Sequence, residues 1–318
     1  MPALPVSAGP GRSDIRSDIR KDHWLVRLAP AAARPYLELA RLDRPIGTWL
    51  LLLPGWWALA LAPQVTGTTT SPWPDWRLLL LFAVGALAMR GAGCTYNDIV
   101  DRDFDGRVAR TALRPLPSGR VSLKQALAFL AAQLLVALAI LLLLPPLAIW
   151  LGVGSLALVF TYPFMKRLTY WPQAFLGLTF NWGALLGWAA AAQQLHWRAA
   201  ALYVGGLCWT LVYDTIYAHQ DREDDALIGV KSTALRFGRS TRQIIAGFAL
   251  LTLAGWAVAG WTLAWPYWIG LGATALTIAW QIATLDIDDP SGCLRRFQAS
   301  KWTGLLLFVG LLGAAALA

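Results

Sequence analysis

The chain alternates between long apolar runs and short polar connections. Nine runs approach the roughly 20 residues that an α-helix needs to cross a bilayer. Pro145 and Pro146 form a tight turn between the third run and the fourth. The predicted spans are residues 46–63, 78–96, 123–144, 147–164, 173–192, 200–218, 243–261, 266–284 and 302–318. This pattern predicts an all-α, polytopic membrane protein with about nine transmembrane helices.

Composition supports the membrane interpretation. The 318-residue chain is 57% hydrophobic and only 14% charged, with a mean hydropathy of +0.50, whereas soluble domains carry about a quarter charged residues. Most side chains must therefore contact lipid or other apolar helices. Residues 1–40 are polar and Arg-rich, without the apolar stretch of a signal peptide. We interpret them as a polar tail and residues 41–318 as the membrane domain.

Many of the 18 Trp residues lie near the ends of the apolar runs. Amphipathic rings at such places settle at the level of the lipid headgroups, although some of these Trp residues are expected in the core. The Trp residues near run ends are Trp56, Trp57, Trp73, Trp76, Trp171, Trp197, Trp265 and Trp268.

Lys and Arg fall mainly on one side of the predicted membrane. The tail and the connections after even-numbered spans hold most of the 27 basic residues, and such residues favour the cytoplasmic side. We therefore predict a cell inner membrane protein with a cytoplasmic N-terminus and a periplasmic C-terminus. The net charge of +9 follows from this topology and from contact with the lipid bilayer. Nothing in the sequence indicates a nucleic-acid partner.

Half of the 18 acidic residues fall in two short windows, each at the end of a predicted span. Residues four apart share one helix face, so their carboxylates repel one another unless a cation lies between them. Mg²⁺ prefers oxygen ligands and commonly binds one or two carboxylates together with substrate phosphate oxygens. The windows therefore predict a Mg²⁺ site. The nine acids are Asp98, Asp101, Asp103 and Asp105, and Asp214, Asp221, Glu223, Asp224 and Asp225. On a helix, Asn97, Asp101 and Asp105 would form one stripe with Asp98 beside it, and Asp214, Asp221 and Asp225 would form another.

Solvated loops whose acids balance nearby arginines are the plainer alternative. Cytoplasmic loops normally favour Lys and Arg, however, and two regular spacings of acids argue against it. The two windows are also followed by similar sequences, VARTALR at 108–114 and VKSTALR at 230–236. From this echo we predict an internal duplication of a four-helix half, with a ninth helix added.

Basic side chains near both windows can neutralise the charge of a leaving phosphate group. Arg90 differs from them because it lies inside the second predicted span, where a charge is by default a functional candidate. The candidate diphosphate-binding residues are Arg102, Arg110, Lys166, Arg167 and Lys231.

Four motifs follow one another in a recognisable order. They are residues 41–49 (RLDRPIGTW), 97–119 (beginning NDIVDRDFD and ending RPLPSG), 162–167 (YPFMKR) with Pro172 and Gln173, and 213–234 (beginning YDTIYA). From about residue 35 to the C-terminus, the chain resembles the UbiA superfamily of membrane prenyltransferases. The segment from residue 110 to residue 116 most resembles the members that prenylate 4-hydroxybenzoate in ubiquinone biosynthesis.

The resemblance implies nine helices around a central cavity, with two Mg²⁺ ions bridging a polyprenyl diphosphate to the two acidic motifs. Loss of diphosphate would leave an allylic carbocation, and the aromatic ring of 4-hydroxybenzoate would attack it ortho to the hydroxyl group. The catalytic residues that it implies are Asp101, Asp105, Asp221 and Asp225, and the metal set adds Asn97 and Asp98 to these four.

The acceptor is predicted less directly. A carboxylated phenol needs a cation, and Arg44, Arg90 or Arg167 could supply it. Arg44 is our first choice, because the turn formed with Pro45 and Gly47 can aim a long side chain inward. Another member of the superfamily, of the haem O, menaquinone or homogentisate type, is the nearer alternative. A transporter with acidic loops is the more distant one, since it would need broken helices or midplane charges.

Overall fold

The computed structural model describes residues 23–67, 71–106 and 111–318, except for the side chains of residues 103–105, 224 and 228. Within these ranges the chain is helical, and no β-strand occurs. The α-helices are α1 (Trp24–Leu28), α2 (Arg34–Leu39), α3 (Ile46–Thr66), α4 (Trp76–Asp105), α5 (Leu123–Leu141), α6 (Pro146–Leu168), α7 (Pro172–Ala192), α8 (Trp197–Ala218), α9 (Arg222–Ile228), α10 (Thr233–Phe237), α11 (Thr241–Ala259), α12 (Trp265–Ala283) and α13 (Pro290–Ala315). Two 3₁₀ turns join them at His219–Asp221 and Gly238–Ser240.

Each predicted span falls largely on one long helix, from α3 to α8 and from α11 to α13. In the described ranges, seven helices are long and apolar enough to cross a membrane, and α12 and α13 are not among them. The first turn of α12 is rich in Trp and Tyr, and α13 carries Arg295, Arg296 and Lys301. These residues lower the hydropathy of both helices. The all-α, polytopic membrane class is confirmed, whereas the count of nine spans is not.

Proline and glycine set several of the helix boundaries. Proline stands in the first turn of α6, α7, α12 and α13, where its missing amide hydrogen has no helical partner to lose. At the C-terminal end of α3, Gly67 adopts a left-handed φ of 59°. A glycine in that conformation ends a helix without steric cost.

The chain divides into two compact units. The small unit is Met1–Arg44 with Cys94–Leu130, and the large unit is Pro45–Gly93 with Ala131–Ala318. In the small unit, Leu39, Val121 and Ala126 form a buried apolar cluster. Tyr36 and Phe129 pack beside it edge to face, with their ring centroids 5.2 Å apart. This packing gathers α2, the start of α5 and the segment before α5 in one place.

Close helix packing dominates the large unit. A Cβ at Gly187 of α7 would lie only 2.6 Å from the backbone oxygen of Gly55 of α3, so these two helices can approach as they do only through glycine. Three Trp rings, of Trp57, Trp209 and Trp256, fill the core, with centroids 4.9–5.7 Å apart. Trp57 is completely buried. Trp57 is therefore one of the Trp residues expected in the core, because its ring packs between helices.

Candidate active site

The first acidic motif occupies the last turns of α4. This helix continues without a break from its apolar part to Asp105. Asn97 and Asp101 lie one turn apart, and the Asn97 Nδ2 atom donates to the Asp101 Oδ2 atom at 3.2 Å. Asp101 is buried. The side chain of Asp105 lies outside the described part of the structure. The predicted helical stripe is thus present for Asn97 and Asp101.

Asp98, beside this stripe, is held by two arginines of the small unit. Its carboxylate is fully buried. The Arg41 Nη2 atom donates to both of its oxygens, at 2.7 and 2.9 Å. The Arg114 Nη1 atom donates to its Oδ1 atom at 3.2 Å. Asp98 as a metal residue stays a prediction, but its carboxylate already has two cationic partners.

Arg41 itself is in an unusual backbone conformation. Its φ of 55° is left-handed, which costs a residue with a Cβ about 1 kcal/mol or more. The Arg41 Nη1 atom also donates to the backbone oxygen of Glu38 at 2.8 Å. Glu38 is buried and pairs with Arg120 at 2.7 Å. These bonds stabilise a turn that the backbone alone would disfavour.

The second acidic motif is built differently. The sequence predicted a continuous helical stripe through Asp214, Asp221 and Asp225, but α8 ends at Ala218 and a 3₁₀ turn precedes α9. Asp214 therefore belongs to α8, whereas Asp221 is the last residue of the 3₁₀ turn and Asp225 lies four residues later in α9. Both Asp221 and Asp225 are half-buried. The side chain of Asp224 lies outside the described residues.

Contacts within the large unit hold this break in place. The His219 Nε2 atom lies 2.9 Å from the Thr241 Oγ1 atom, and Arg222 pairs with Asp288 at 2.9 Å. After α9, the backbone amide of Lys231 donates to the backbone oxygen of Lys166 at 2.8 Å. The segment after α9 is therefore fixed against the end of α6.

The predicted diphosphate-binding cations are only partly brought together. Lys166 and Arg167 lie in the last turn of α6. The Lys231 Nζ atom donates to the backbone oxygen of Leu168 at 3.2 Å and lies 5.6 Å from the Tyr170 ring centroid. These three cations thus share the C-terminal end of one helix, which the helix dipole favours. Arg102 is exposed on α4, and Arg110 lies outside the described residues.

Arg90 lies in α4 within the large unit, next to Phe180 and Gly47. Its Cζ atom is 5.5 Å from the Phe180 ring centroid. A Cβ at Gly47 would come within 2.6 Å of the same Cζ atom, so the absent side chain of Gly47 leaves room for the guanidinium group. Asp214 is near enough to interact with it electrostatically. Among the described residues, none accepts a hydrogen bond from Arg90.

Arg44, the first choice for the acceptor, has a different environment. Its Nε atom donates to the neighbouring Asp43 at 3.2 Å. Asp43 is completely buried. A guanidinium group that already pairs with a buried carboxylate offers less to a second one.

Sequence reasoning missed several neighbours of these side chains. Arg41 and Gly47 stand in the first motif that carries the resemblance, but their spacing does not reveal the partners Asp98 and Arg90. Phe180 carries no signal at all, because it is one apolar residue among many in α7.

The ligand atoms suit a Mg²⁺ site with few protein ligands better than a metal site in which the protein supplies every ligand. In the described part of the chain, no three His, Cys, Asp or Glu side chains group closely enough to hold a metal ion. Asn97 with Asp101 supplies one pair of oxygen donors, and Asp221 with Asp225 supplies another. Mg²⁺ commonly takes one or two protein carboxylates and fills its remaining positions with water and phosphate oxygens. The residues present fit that pattern.

A family model described as the UbiA prenyltransferase family matches residues 51–311. The chain belongs to this family. The predicted family and the predicted class of enzyme, a prenyltransferase, are thereby confirmed.

Curated relatives of this UbiA family member are about half identical to it. The mitochondrial 4-hydroxybenzoate polyprenyltransferase of Drosophila melanogaster is 50% identical over 284 residues, covering 88% of this chain and 71% of the relative. The mitochondrial protein of the same name from Homo sapiens is 49% identical over 290 residues, covering 90% and 77%.

Solved structures of UbiA homologues share the fold. An apo homologue from Aeropyrum pernix K1 is 26% identical, with a TM-score of 0.64, covering 85% of this chain and 96% of that one. A homologue from Archaeoglobus fulgidus bound to GPP and Mg²⁺ is 16% identical, with a TM-score of 0.59, covering 89% and 99%.

The comparisons overturn the expected location. The curated relatives are mitochondrial enzymes, so the prediction of a cell inner membrane protein with cytoplasmic and periplasmic termini is wrong. Its premise was that the bias of Lys and Arg implies one particular membrane, whereas such a bias reports only asymmetry across a membrane. The multi-pass membrane character stands.

Proposed function

We propose that this chain transfers a polyprenyl group from a polyprenyl diphosphate to the ring of 4-hydroxybenzoate. The observation that carries this proposal is the identity of about half over about nine-tenths of the chain to curated 4-hydroxybenzoate polyprenyltransferases. Pairs of oxygen donors at both acidic motifs and three cations at the end of α6 support the same chemistry.

The reaction that we propose depends on Mg²⁺. The principal ligands would be Asn97 and Asp101 with Asp105, and Asp221 with Asp225. Mg²⁺ bound there would neutralise the negative charge that accumulates on the leaving diphosphate. The Archaeoglobus fulgidus homologue bound to GPP and Mg²⁺ supports both the metal and the substrate class.

The chemistry follows from the substrates. The bond between the allylic carbon and the diphosphate oxygen breaks, and the electron pair leaves with diphosphate. A ring carbon ortho to the hydroxyl group then forms a bond to the allylic carbon and loses its proton. Lys166, Arg167 and Lys231 would bind the diphosphate through charge-assisted hydrogen bonds. Apolar surroundings would keep water from the allylic cation.

Arg90 is now our choice for the acceptor carboxylate, ahead of Arg44. It lies in an apolar part of α4, and no described residue accepts a hydrogen bond from it. Such a guanidinium group gains strongly from a carboxylate partner. Arg44 already contacts the buried Asp43. The ring of Phe180 lies beside the Arg90 guanidinium group, and the missing side chain of Gly47 leaves room for it.

Steady-state kinetics against both substrates test this assignment. Loss of a charged hydrogen bond costs about 1.5–3 kcal/mol, so Arg90→Ala should raise the KM for 4-hydroxybenzoate roughly ten- to a hundred-fold. The KM for the diphosphate should change little. Arg77→Ala is the matched control, because Arg77 is exposed at the start of the same helix.

Two outcomes would count against the assignment. If Arg44→Ala raises the KM for 4-hydroxybenzoate and Arg90→Ala does not, the clamp belongs to Arg44. If Arg44, Arg90 and Arg167 substitutions all change only the KM for the diphosphate, a non-carboxylated acceptor becomes the better hypothesis.

A further inference from the structure

The carboxylate of Asp98 in the first motif is held by two arginines. It is fully buried, and three donor–acceptor contacts of 2.7–3.2 Å reach it from Arg41 and Arg114. Contacts between guanidinium groups and carboxylates are among the strongest hydrogen bonds in proteins. These contacts connect residues that are 57 and 16 positions apart in the sequence.

Such an environment is unfavourable for a metal ion. Two guanidinium groups already donate to the carboxylate of Asp98. A divalent cation would have to displace a guanidinium group and would then meet the repulsion of both. At Asp101, one turn earlier than Asp105 on the same stripe, the Oδ2 atom accepts from the side-chain amide of Asn97.

We propose that Asp98 is a positioning residue and not a metal ligand. Its carboxylate cross-links the end of α4 to Arg41, ahead of α3, and to Arg114, in the segment after the motif. The cross-link fixes the helix turns that carry Asn97 and Asp101. The metal part of this inference rests on the proposed function, whereas the cross-link itself does not.

A second bridge in the small unit makes the cross-link cooperative. Glu38 pairs with Arg120 at 2.7 Å, and the Arg120 Nη2 atom also donates to the backbone oxygen of Leu113 at 2.7 Å. The backbone oxygen of Glu38 accepts from Arg41. Arg41 thus connects the two bridges. Without Asp98, the buried Arg41 would keep its left-handed backbone conformation but lose the carboxylate that lies 2.7 Å from its Nη2 atom.

The test compares two identical substitutions on one helix, Asp98→Asn and Asp101→Asn. Each is purified in detergent, and three quantities are measured: the melting temperature, the affinity for Mn²⁺ by electron paramagnetic resonance with inorganic pyrophosphate present, and the Mg²⁺ concentration for half-maximal activity. We expect Asp98→Asn to lower the melting temperature by at least about 5 °C and to leave Mn²⁺ affinity within about twofold. We expect Asp101→Asn to weaken Mn²⁺ binding at least about tenfold.

A double-mutant cycle isolates the pair. Arg41→Gln combined with Asp98→Asn should lower the melting temperature by clearly less than the sum of the two single effects, because both single changes break the same buried ion pair. If Asp98→Asn cannot be purified, Asp98→Glu should keep Mn²⁺ affinity while lowering the melting temperature.

Two results would overturn the proposal. One is a loss of Mn²⁺ affinity in Asp98→Asn as large as that in Asp101→Asn, with an unchanged melting temperature. The other is additivity in the double-mutant cycle. If Asp101→Asn also leaves Mn²⁺ binding unchanged, the proposed metal site fails, and the cycle still decides the cross-link separately.

Discussion

The two acidic motifs carry carboxylates at the same spacing on different scaffolds. The first lies on an unbroken helix, and Asp98 within it is buried between two arginines. The second begins with Asp221 in a 3₁₀ turn and continues on the short helix α9. An ion pair between Arg222 and Asp288, whose side chain is 72% exposed, helps to hold it.

This difference shows that the spacing of acids in the sequence indicates a cation site, whereas the side chains around each carboxylate decide whether it can be a ligand. The i, i+4 spacing of acids indicates a cation site at both motifs. Whether one particular carboxylate can bind that cation depends on side chains far away in the sequence. Removing one partner of a buried ion pair strongly destabilises the folded protein, whereas exposed ion pairs contribute little to its stability. We therefore expect buried ion pairs to stabilise the first motif, and mainly hydrogen bonds to stabilise the second.

Removing one proposed ligand from each motif should have the largest effect. Asp101→Ala and Asp225→Ala should each lower turnover at least about a hundredfold, while the protein remains in the membrane. Mass spectrometry of the prenylated product measures this. Asp75→Ala is the matched control, since Asp75 is exposed before α4. Full turnover in either ligand variant would remove that motif from the site.

Breaking one ion pair of each motif tests the difference in scaffold. Asp98→Asn should lower the free energy of unfolding by about 3–5 kcal/mol, because Arg41 and Arg114 both lose a contact with a buried carboxylate. Asp288→Asn should lower it by no more than about 1 kcal/mol, because solvent screens that pair. Unfolding in detergent by denaturant compares the two. Equal losses would show that the motifs do not differ in this way.

A change away from both motifs sharpens the comparison, because neither motif should respond to it. In Gly47→Ala, the new Cβ would collide with the Arg90 guanidinium group. The KM for the acceptor should rise about three- to tenfold, less than in Arg90→Ala, since the charge remains and is only displaced. Gly247→Ala, which meets no atom within 4 Å, is the control. A rise in the diphosphate KM instead would place Arg90 with the phosphate.

The smallest expected effect concerns Asp289, next to Asp288 at the start of α13. The hydrogen bond from the Ser291 hydroxyl group, followed by the Gly292 amide, lowers the pKa of this carboxyl group below its usual value. Its contribution to stability is therefore present above the unfolded pKa of about 3.9. It is lost as the pH falls through the lower folded value. Melting temperatures between pH 3 and pH 7 should show a slightly weaker acid dependence in Asp289→Asn. Identical dependence of the melting temperature on pH in Asp289→Asn and the unchanged protein would contradict this contribution of Asp289.

Much of the fold could be predicted from the sequence, because apolar runs and their flanking prolines report directly on helices in a membrane. The acidic motifs were also predictable, since carboxylates at i, i+4 are rare in such a chain. The break between α8 and α9 was not, because it depends on contacts such as that of His219 with Thr241. The same holds for the pairing of Asp98, which needs Arg41 in a left-handed conformation.

The sequence echo after the two motifs shows the same limit. Residues 233–237 form helix α10, whereas residues 111–119 form turns. The same four residues, TALR at 111–114 and at 233–236, thus adopt different local structures, because their tertiary neighbours differ. The internal duplication stays a prediction.

The most direct test of the account is product analysis with the purified protein. The protein is incubated with 4-hydroxybenzoate, a polyprenyl diphosphate and Mg²⁺, and the products are identified by mass spectrometry. The account predicts 4-hydroxybenzoate carrying one polyprenyl group in place of a ring hydrogen ortho to the hydroxyl group. Product should be absent when EDTA replaces Mg²⁺. Prenylation of an acceptor without a carboxylate but not of 4-hydroxybenzoate, or undiminished product in EDTA, would contradict it.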